Sequence, residues 1–249
     1  MRINFSNPVI KKLDRKILFQ TVNQGWISSQ AELVKKFEKN FAKWQGSKYA
    51  VSTSNCTTSL HLSLLALDIG KGDEVICTNL SFIAPANMIK LTGAKPVFVD
   101  VCMDTFAMKT DKILKKITKK TRAIMVIHPF GLPADITEIK KNAKKYNLKI
   151  IEDVAESIGA KVNGKKLGSF GDLSCYSFFA NKIITTGEGG MIVTNNHKLF
   201  KKLCLLRDHG MTVEKKYYHQ CLAYNYRMTS LQAALGIGQL SRINQILIE

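Results

Sequence analysis

A chain of 249 residues with 45% hydrophobic content is ordinary for a globular protein, and its length bounds the fold at one large domain or two small ones. Its N-terminus, "MRINFSNPVIKKLDRK", has no apolar stretch behind the basic residues, and no run of about 18 apolar residues occurs anywhere. The sequence therefore reads as soluble, cytoplasmic and without a membrane partner. The formal charge of +18 raises a nucleic-acid partner, yet six arginines stand against 31 lysines, and base readers and phosphate clamps rely on the arginine fork.

Lysine runs such as "DKILKKITKKTR" and "KKNAKKYNLK" alternate with apolar residues at helical spacing and read as solvated helix faces, so no nucleic acid is expected. Cys56, Cys77, Cys102, Cys175, Cys204 and Cys221 show no C-x-x-C spacing, and the histidines form no H-E-x-x-H. No metal is expected, and most of these cysteines read as buried thiols of a reducing compartment.

Short β-branched runs alternate with amphipathic stretches along the chain. "YAVST" precedes "TTSLHLSLLALDI", "EVICT" precedes "IAPANMIKLT", and "PVFVDV" precedes "TDKILKKIT". "AIMVIH" precedes "DITEIKKNAKKY", and "LKIIEDV" has no clear helix after it. The alternation predicts one α/β domain, a mostly parallel sheet covered by helices on both faces in three α/β/α layers. In such sheets ligand groups collect at the C-terminal strand ends, beside helix N-termini.

Three features fall at such ends. In "STSNCTTSLHL" a strand is followed by Asn55, Cys56, Thr57 and Thr58 opening a helix, where N–H groups and a threonine hydroxyl suit a dianionic phosphate; a plain helix cap is the alternative. In "KIIEDVAESIGA" the strand delivers Glu152 and Asp153, carboxylates that need a partner. A protonated heterocyclic nitrogen, an arginine or a helix N-terminus would each serve. In "SFFANKIITTGEGG", Lys182 is flanked by Phe178, Phe179, Ile183 and Ile184, which desolvate it in part and make it a usable nucleophile toward a carbonyl. The alternative is a lysine reaching solvent from an edge strand. Taken jointly, a phosphate cradle, an acid and a desolvated lysine are the three grips that pyridoxal 5'-phosphate requires, with Lys182 as its Schiff-base lysine.

The same residues resemble the DegT/DnrJ/EryC1/StrS family of sugar aminotransferases, which have the PLP-dependent transferase fold type I. The resemblance runs from "GWISSQAELVKKFEKNFAKWQGSKYAVSTSNCTTSLHL" through "HPFGLPADI", "IIEDVAESIGA" and "GSFGDLSCYSFFANKIITTGEGGMIVTNN" to "YNYRMTSLQAALGIGQL". Within the family it is most similar to the perosamine-synthase branch. The resemblance implies amino transfer from glutamate to a nucleotide-linked, in particular GDP-linked, 4-keto-6-deoxy sugar for glycans such as lipopolysaccharide O-antigen. By position it implies Thr57, Thr58 and Ser177 at the cofactor phosphate, Phe82 stacked on the pyridine ring and Asp153 at the ring nitrogen. Glu156 falls near the ring hydroxyl and the substrate, and Asn225 reaches the phosphate of a second subunit, so a homodimer with shared active sites is expected. Residues 1–30, in particular Trp26, Ile27 and Ser28 of "GWISS", are expected to line the sugar pocket.

Two departures from the pattern carry expectations of their own. Cys56 stands where many relatives have glycine, which is tolerable only where the backbone needs no positive φ. The sequence stops at Glu249, where family members continue into a smaller C-terminal domain, so a large domain of residues 1–249 without that small domain is expected. That ending also raises an alternative, a truncated non-catalytic paralogue that binds the cofactor weakly or dimerises with a full-length partner. Dehydratase relatives carry histidine at the lysine position, and Lys182 argues against that chemistry.

Overall fold

The computed structural model describes residues 7–212, 215 and 217–248. Among these, five strands follow the order expected from the apolar runs: β1 (Tyr49–Thr53), β2 (Glu74–Thr78), β3 (Lys95–Val99), β4 (Thr121–Ile127) and β5 (Lys149–Asp153). A two-residue hairpin, β6 (Lys161–Val162) and β7 (Lys165–Lys166), precedes β8 (Leu173–Ser177) and β9 (Gly190–Thr194). The helices are α1 (Lys12–Asn23), α2 (Glu32–Gln45), α3 (Cys56–Ala66), α4 (Ala84–Leu91) and the short α5 (Thr110–Ile113). After them come α6 (Ile136–Lys145), α7 (His197–Arg207), α8 (Ser230–Ser241) and α9 (Ile243–Ile246).

The main sheet has the order β1-β9-β8-β5-β4-β2-β3. Parallel pairing links β3, β2, β4, β5 and β8, while β9 runs antiparallel to both β8 and β1. The sheet is therefore mostly parallel and covered on both sides, as its near-continuous apolar strands require.

The two faces are legible in β4 and β5. Ile124, Val126 and Ile150 join one core with Phe37, Phe41, Tyr176 and Phe178; Ala123, Met125 and Ile151 join the other with Leu60, Leu62 and Leu64 of α3. Because strand side chains alternate, Glu152 continues the first face and Asp153 the second. In α2, Val34, Phe37 and Phe41 recur at helical spacing and are buried, and the helix ends on Gly46 at φ 84.

The chain's N-terminal helix docks on α8 through a charged contact. Buried Asp14 accepts from the Lys11 N–H at 2.8 Å, from Gln239 at 2.9 Å and from Arg242 at 2.6 Å. No described helix is long and apolar enough to cross a membrane. The cysteines correct an expectation: Cys77 and Cys175 are buried, but Cys56, Cys102 and Cys204 are only partly covered and Cys221 is exposed. The two buried cysteines lie on strands; of the other four, Cys56 and Cys204 pack at the edge of the second core, and Cys56 also lines the cavity described next.

Candidate active site

A cavity of about 820 Å³ opens at the C-terminal ends of β2, β4, β5 and β8. Its wall brings together Thr57, Phe82, Asp153, Glu156, Ser177 and Lys182 from four separate chain segments.

Lys182 does not lie on an edge strand. It sits in the turn between the inner strands β8 and β9, where its N–H donates to the Phe179 carbonyl at 3.0 Å. Its side chain is 18% exposed, and Nζ stands 3.4 Å from Glu156 Oε1. The other oxygen of Glu156 accepts the Phe130 N–H at 3.1 Å, so one carboxylate joins the lysine to the turn after β4.

Asp153 is buried and faces the cavity from the end of β5. Oδ1 accepts the Ala155 N–H at 3.0 Å and lies 4.0 Å from Cys56 Sγ. Burial raises its pKa to about 6, against the pull of the Ala155 N–H and of nearby positive charge on Lys182. Burial likewise raises the Cys56 thiol well above its ordinary range, and Asp153 adds to this, so the thiol faces Asp153 protonated.

Glu152, one residue earlier, meets the opposite environment. Oε1 accepts from the N–H groups of Phe170 at 2.8 Å and Gly171 at 2.6 Å and from Ser174 Oγ at 3.2 Å; Oε2 accepts from the Gly168 N–H at 2.9 Å. His128 Nδ1 accepts the Ala134 N–H at 3.1 Å, which leaves the ring proton on Nε2 to donate to Glu152 Oε2 at 3.2 Å. Burial pushes the Glu152 pKa up, but the His128 hydrogen bond and the Gly168 and Gly171 N–H groups outweigh it and leave the pKa below its ordinary value. The loop around Glu152 depends on two glycines. Gly168 has φ 85, and a Cβ on Gly171 would come within 2.9 Å of the Ile150 carbonyl oxygen.

The helix start at the cavity wall is closed by a reciprocal cap. The Asn55 side chain accepts the Thr58 N–H at 2.9 Å, and Thr58 Oγ1 donates back to the Asn55 carbonyl at 2.8 Å. Thr58 thus serves the cap and is not part of the cavity wall. Thr57 does line the wall, and the N–H groups of Cys56 and Thr57 have no acceptor within the helix. Cys56 occupies the first helical position without positive φ, so no glycine is required there.

The remaining expected residues take different positions. Ser177 ends β8 at the wall, and Phe82, 79% exposed, presents its ring to the cavity rather than to the core. Trp26, Ile27 and Ser28 lie outside the cavity; Trp26 and Ile27 are exposed, and the Ser28 carbonyl accepts the Ser230 N–H at 3.0 Å. Of the N-terminal segment 1–30, residues 1–6 lie outside the described residues. Asn225 is exposed, pairs in an isolated bridge with Asp208 and accepts from Arg227 Nε at 3.0 Å. Sequence reasoning missed His128, Phe106 and Phe130, all at the wall. The quoted "HPFG" held the only signal for two of them.

Together the wall can hold an anion at a helix start, keep a ring nitrogen protonated and present an amine to a carbonyl, which is the chemistry of a PLP enzyme. The chain belongs to the DegT/DnrJ/EryC1/StrS aminotransferase family, whose model matches residues 8–249. It is similar to the GDP-perosamine synthase of Escherichia coli O157:H7, with 45% identity over 96% of this chain and 66% of that protein. The solved aminotransferase from Psychrobacter cryohalolentis superposes on 96% of this chain and 64% of its own with TM-score 0.93 and 36% identity. A GDP-4-keto-6-deoxymannose-3-dehydratase, solved with a trapped PLP-glutamate geminal diamine, matches 98% of this chain and 69% of its own with TM-score 0.93 and 28% identity. The chain spans about two thirds of the length of the relatives it matches.

Proposed function

We propose that this chain carries the cofactor site of a PLP-dependent aminotransferase that moves an amino group from glutamate to a nucleotide-linked 4-keto-6-deoxy sugar, in the manner of a GDP-perosamine synthase. The observation that carries the reading is the convergence of Lys182, Asp153 and the α3 N-terminus on one cavity. The identity to GDP-perosamine synthases supports the substrate class.

Bound here, pyridoxal phosphate supplies an electron sink for the carbon that loses a proton. Lys182 Nζ would take that proton from the amino-bearing carbon as general base and, as general acid, deliver it to the carbon of the former aldehyde, so that the amino group leaves its donor. Asp153, held by Ala155 and desolvated, keeps a ring nitrogen protonated. The free N–H groups of Cys56 and Thr57, the Thr57 hydroxyl and Ser177 hold the phosphate, and the Asn55–Thr58 cap fixes that helix start. Phe82 covers one ring face. Glu156 holds Lys182 Nζ in place through the contact it shares with the Phe130 N–H. A homodimer in the cytoplasm, with Asn225 and the Trp26–Ser28 segment serving the partner's cavity, fits the exposure of all four residues.

The test is borohydride trapping of the protein mixed with pyridoxal phosphate, followed by peptide mapping. We expect a cofactor-derived mass on the peptide carrying Lys182, absent in Lys182→Ala, and a visible absorption band that bleaches with glutamate. A folded protein with no adduct would overturn the reading.

A further inference from the structure

Among the described residues seven non-glycine residues have positive φ. Asp68, Asn147, Asn163 and His209 are of types that tolerate the left-handed region. Three are bulky aromatics: Phe106 at φ 54, Phe130 at φ 51 and Tyr217 at φ 61. A bulky side chain in this region is strained, and such strain persists where the surroundings impose it, typically at ligand clamps. Phe106 and Phe130 both line the active-site cavity, whereas Tyr217 does not.

The two rings come from different connections, Phe106 from the one after β3 and Phe130 from the turn after β4, and meet edge to face with centroids 6.5 Å apart. They are not core residues: Phe106 is 40% and Phe130 75% exposed. Their place relative to the chemistry is fixed by one carboxylate, since Glu156 accepts the Phe130 N–H on one oxygen and meets Lys182 Nζ with the other. A molecule reacting at Lys182 therefore lies one carboxylate away from the Phe130 backbone.

We propose that Phe106 and Phe130 form an aromatic clamp for the non-polar face of the substrate sugar, its ring C–H groups and C6 methyl. This rests on the sugar-aminotransferase reading above and names the residues that select its acceptor. Glutamate, short and charged, offers no such face, so the clamp acts on the acceptor and not on the amino donor. An edge-to-face ring pair holds C–H groups and gives no partner to a hydroxyl, which favours a 6-deoxy sugar over its 6-hydroxy counterpart.

The test uses Phe130→Asn, Phe106→Asn and Phe130→Tyr in the full chain. Asparagine accepts the left-handed backbone, so each Asn variant is expected to melt about 2 °C or more above wild type. The same variants should raise KM for the 4-keto-6-deoxy sugar nucleotide by about three- to tenfold, with KM for glutamate moving less than twofold. Phe130→Tyr should restore the sugar KM. A purely structural role predicts the reverse pairing, lower Tm with the two KM values moving together, and would overturn the proposal. So would dissociation of a dimer on Phe130→Asn, seen by sedimentation, which would make the rings a contact between copies. A wild-type protein that traps cofactor at Lys182 but accepts no keto sugar would instead overturn the substrate reading, while the Tm measurement still reads the strain.

Discussion

The two sides of the β5 terminus treat a carboxylate in opposite ways. On one side Glu152 is enclosed by the 168–171 loop, β8 and His128, accepts five hydrogen bonds and is held ionised. On the other, Asp153 faces a cavity with the Ala155 N–H and a distant thiol, and its pKa is raised to about 6. Two adjacent acids on one strand are thus separated into a structural anion, whose needs the fold meets, and an anion whose need is left for something else to meet. That asymmetry is the strongest physical mark of function here, because burial without matching donors lowers stability and survives only where it is used.

The largest effect expected from this comparison is at Glu152. Glu152→Gln puts an amide donor against backbone N–H groups and leaves buried donors unsatisfied, so unfolding free energy should fall by about 3–5 kcal/mol. Chemical denaturation of the two proteins without cofactor measures it. A loss below about 1 kcal/mol would mean that the loop is held by its packing and that Glu152 is not the hub its contacts suggest.

Asp153→Asn should act in the other direction. The pKa shift from the ordinary 3.8 to about 6 means that the folded state binds the proton more tightly than the unfolded one. Above pH 6 the ionised group costs stability, by about 2–3 kcal/mol for a shift of this size. That cost is lifted as pH falls through 6 toward 3.8. The Asn variant without cofactor is therefore expected to be more stable than wild type at pH 7.5, with the gap closing between pH 6 and 4. Glu152, with its lowered pKa, contributes stability that is lost only as pH falls below its ordinary 4.5, so it leaves the upper part of this window undisturbed. A variant less stable than wild type at pH 7.5 would place Asp153 among the structural carboxylates.

Much of this was legible beforehand. The strands β1 to β5 announce themselves because parallel strands buried on both faces are nearly continuous apolar runs, and the strand-end rule then points to Asp153, Thr57 and Lys182. The residues alone did not separate the roles of Glu152 and Asp153; only the family resemblance singled out Asp153. Which acid is satisfied depends on a loop 16 to 19 residues downstream returning to β5, and on a histidine at the end of β4. Nor was the antiparallel β9 marked, since "GMIVT" is as apolar as the parallel strands of the same sheet. The left-handed Phe106 and Phe130 had no signal either, because nothing in their residue type prefers that conformation. Thr58 shows the limit of reading a motif by position: the hydroxyl was expected at a phosphate, and the helix start employs it in a reciprocal cap with Asn55.

That cap supplies the smallest and sharpest test of the asymmetry. Asn55→Ala removes the acceptor of the Thr58 N–H at the start of α3. On the enclosed side of β5 a lost partner strands its donors in the core, but here the side chain removed, Asn55, itself lines an open cavity, from which water or an anion can take its place at the Thr58 N–H. The cost should therefore be only about 1 kcal/mol by denaturation. Added inorganic phosphate should stabilise every variant that keeps the α3 N-terminus, but should narrow the gap to wild type only for Asn55→Ala and leave that of Glu152→Gln unchanged, whose stranded donors no anion can reach. A cost at Asn55 as large as that at Glu152, or a gap to wild type that phosphate narrows in both variants alike, would show that the two sides of the strand are built the same way.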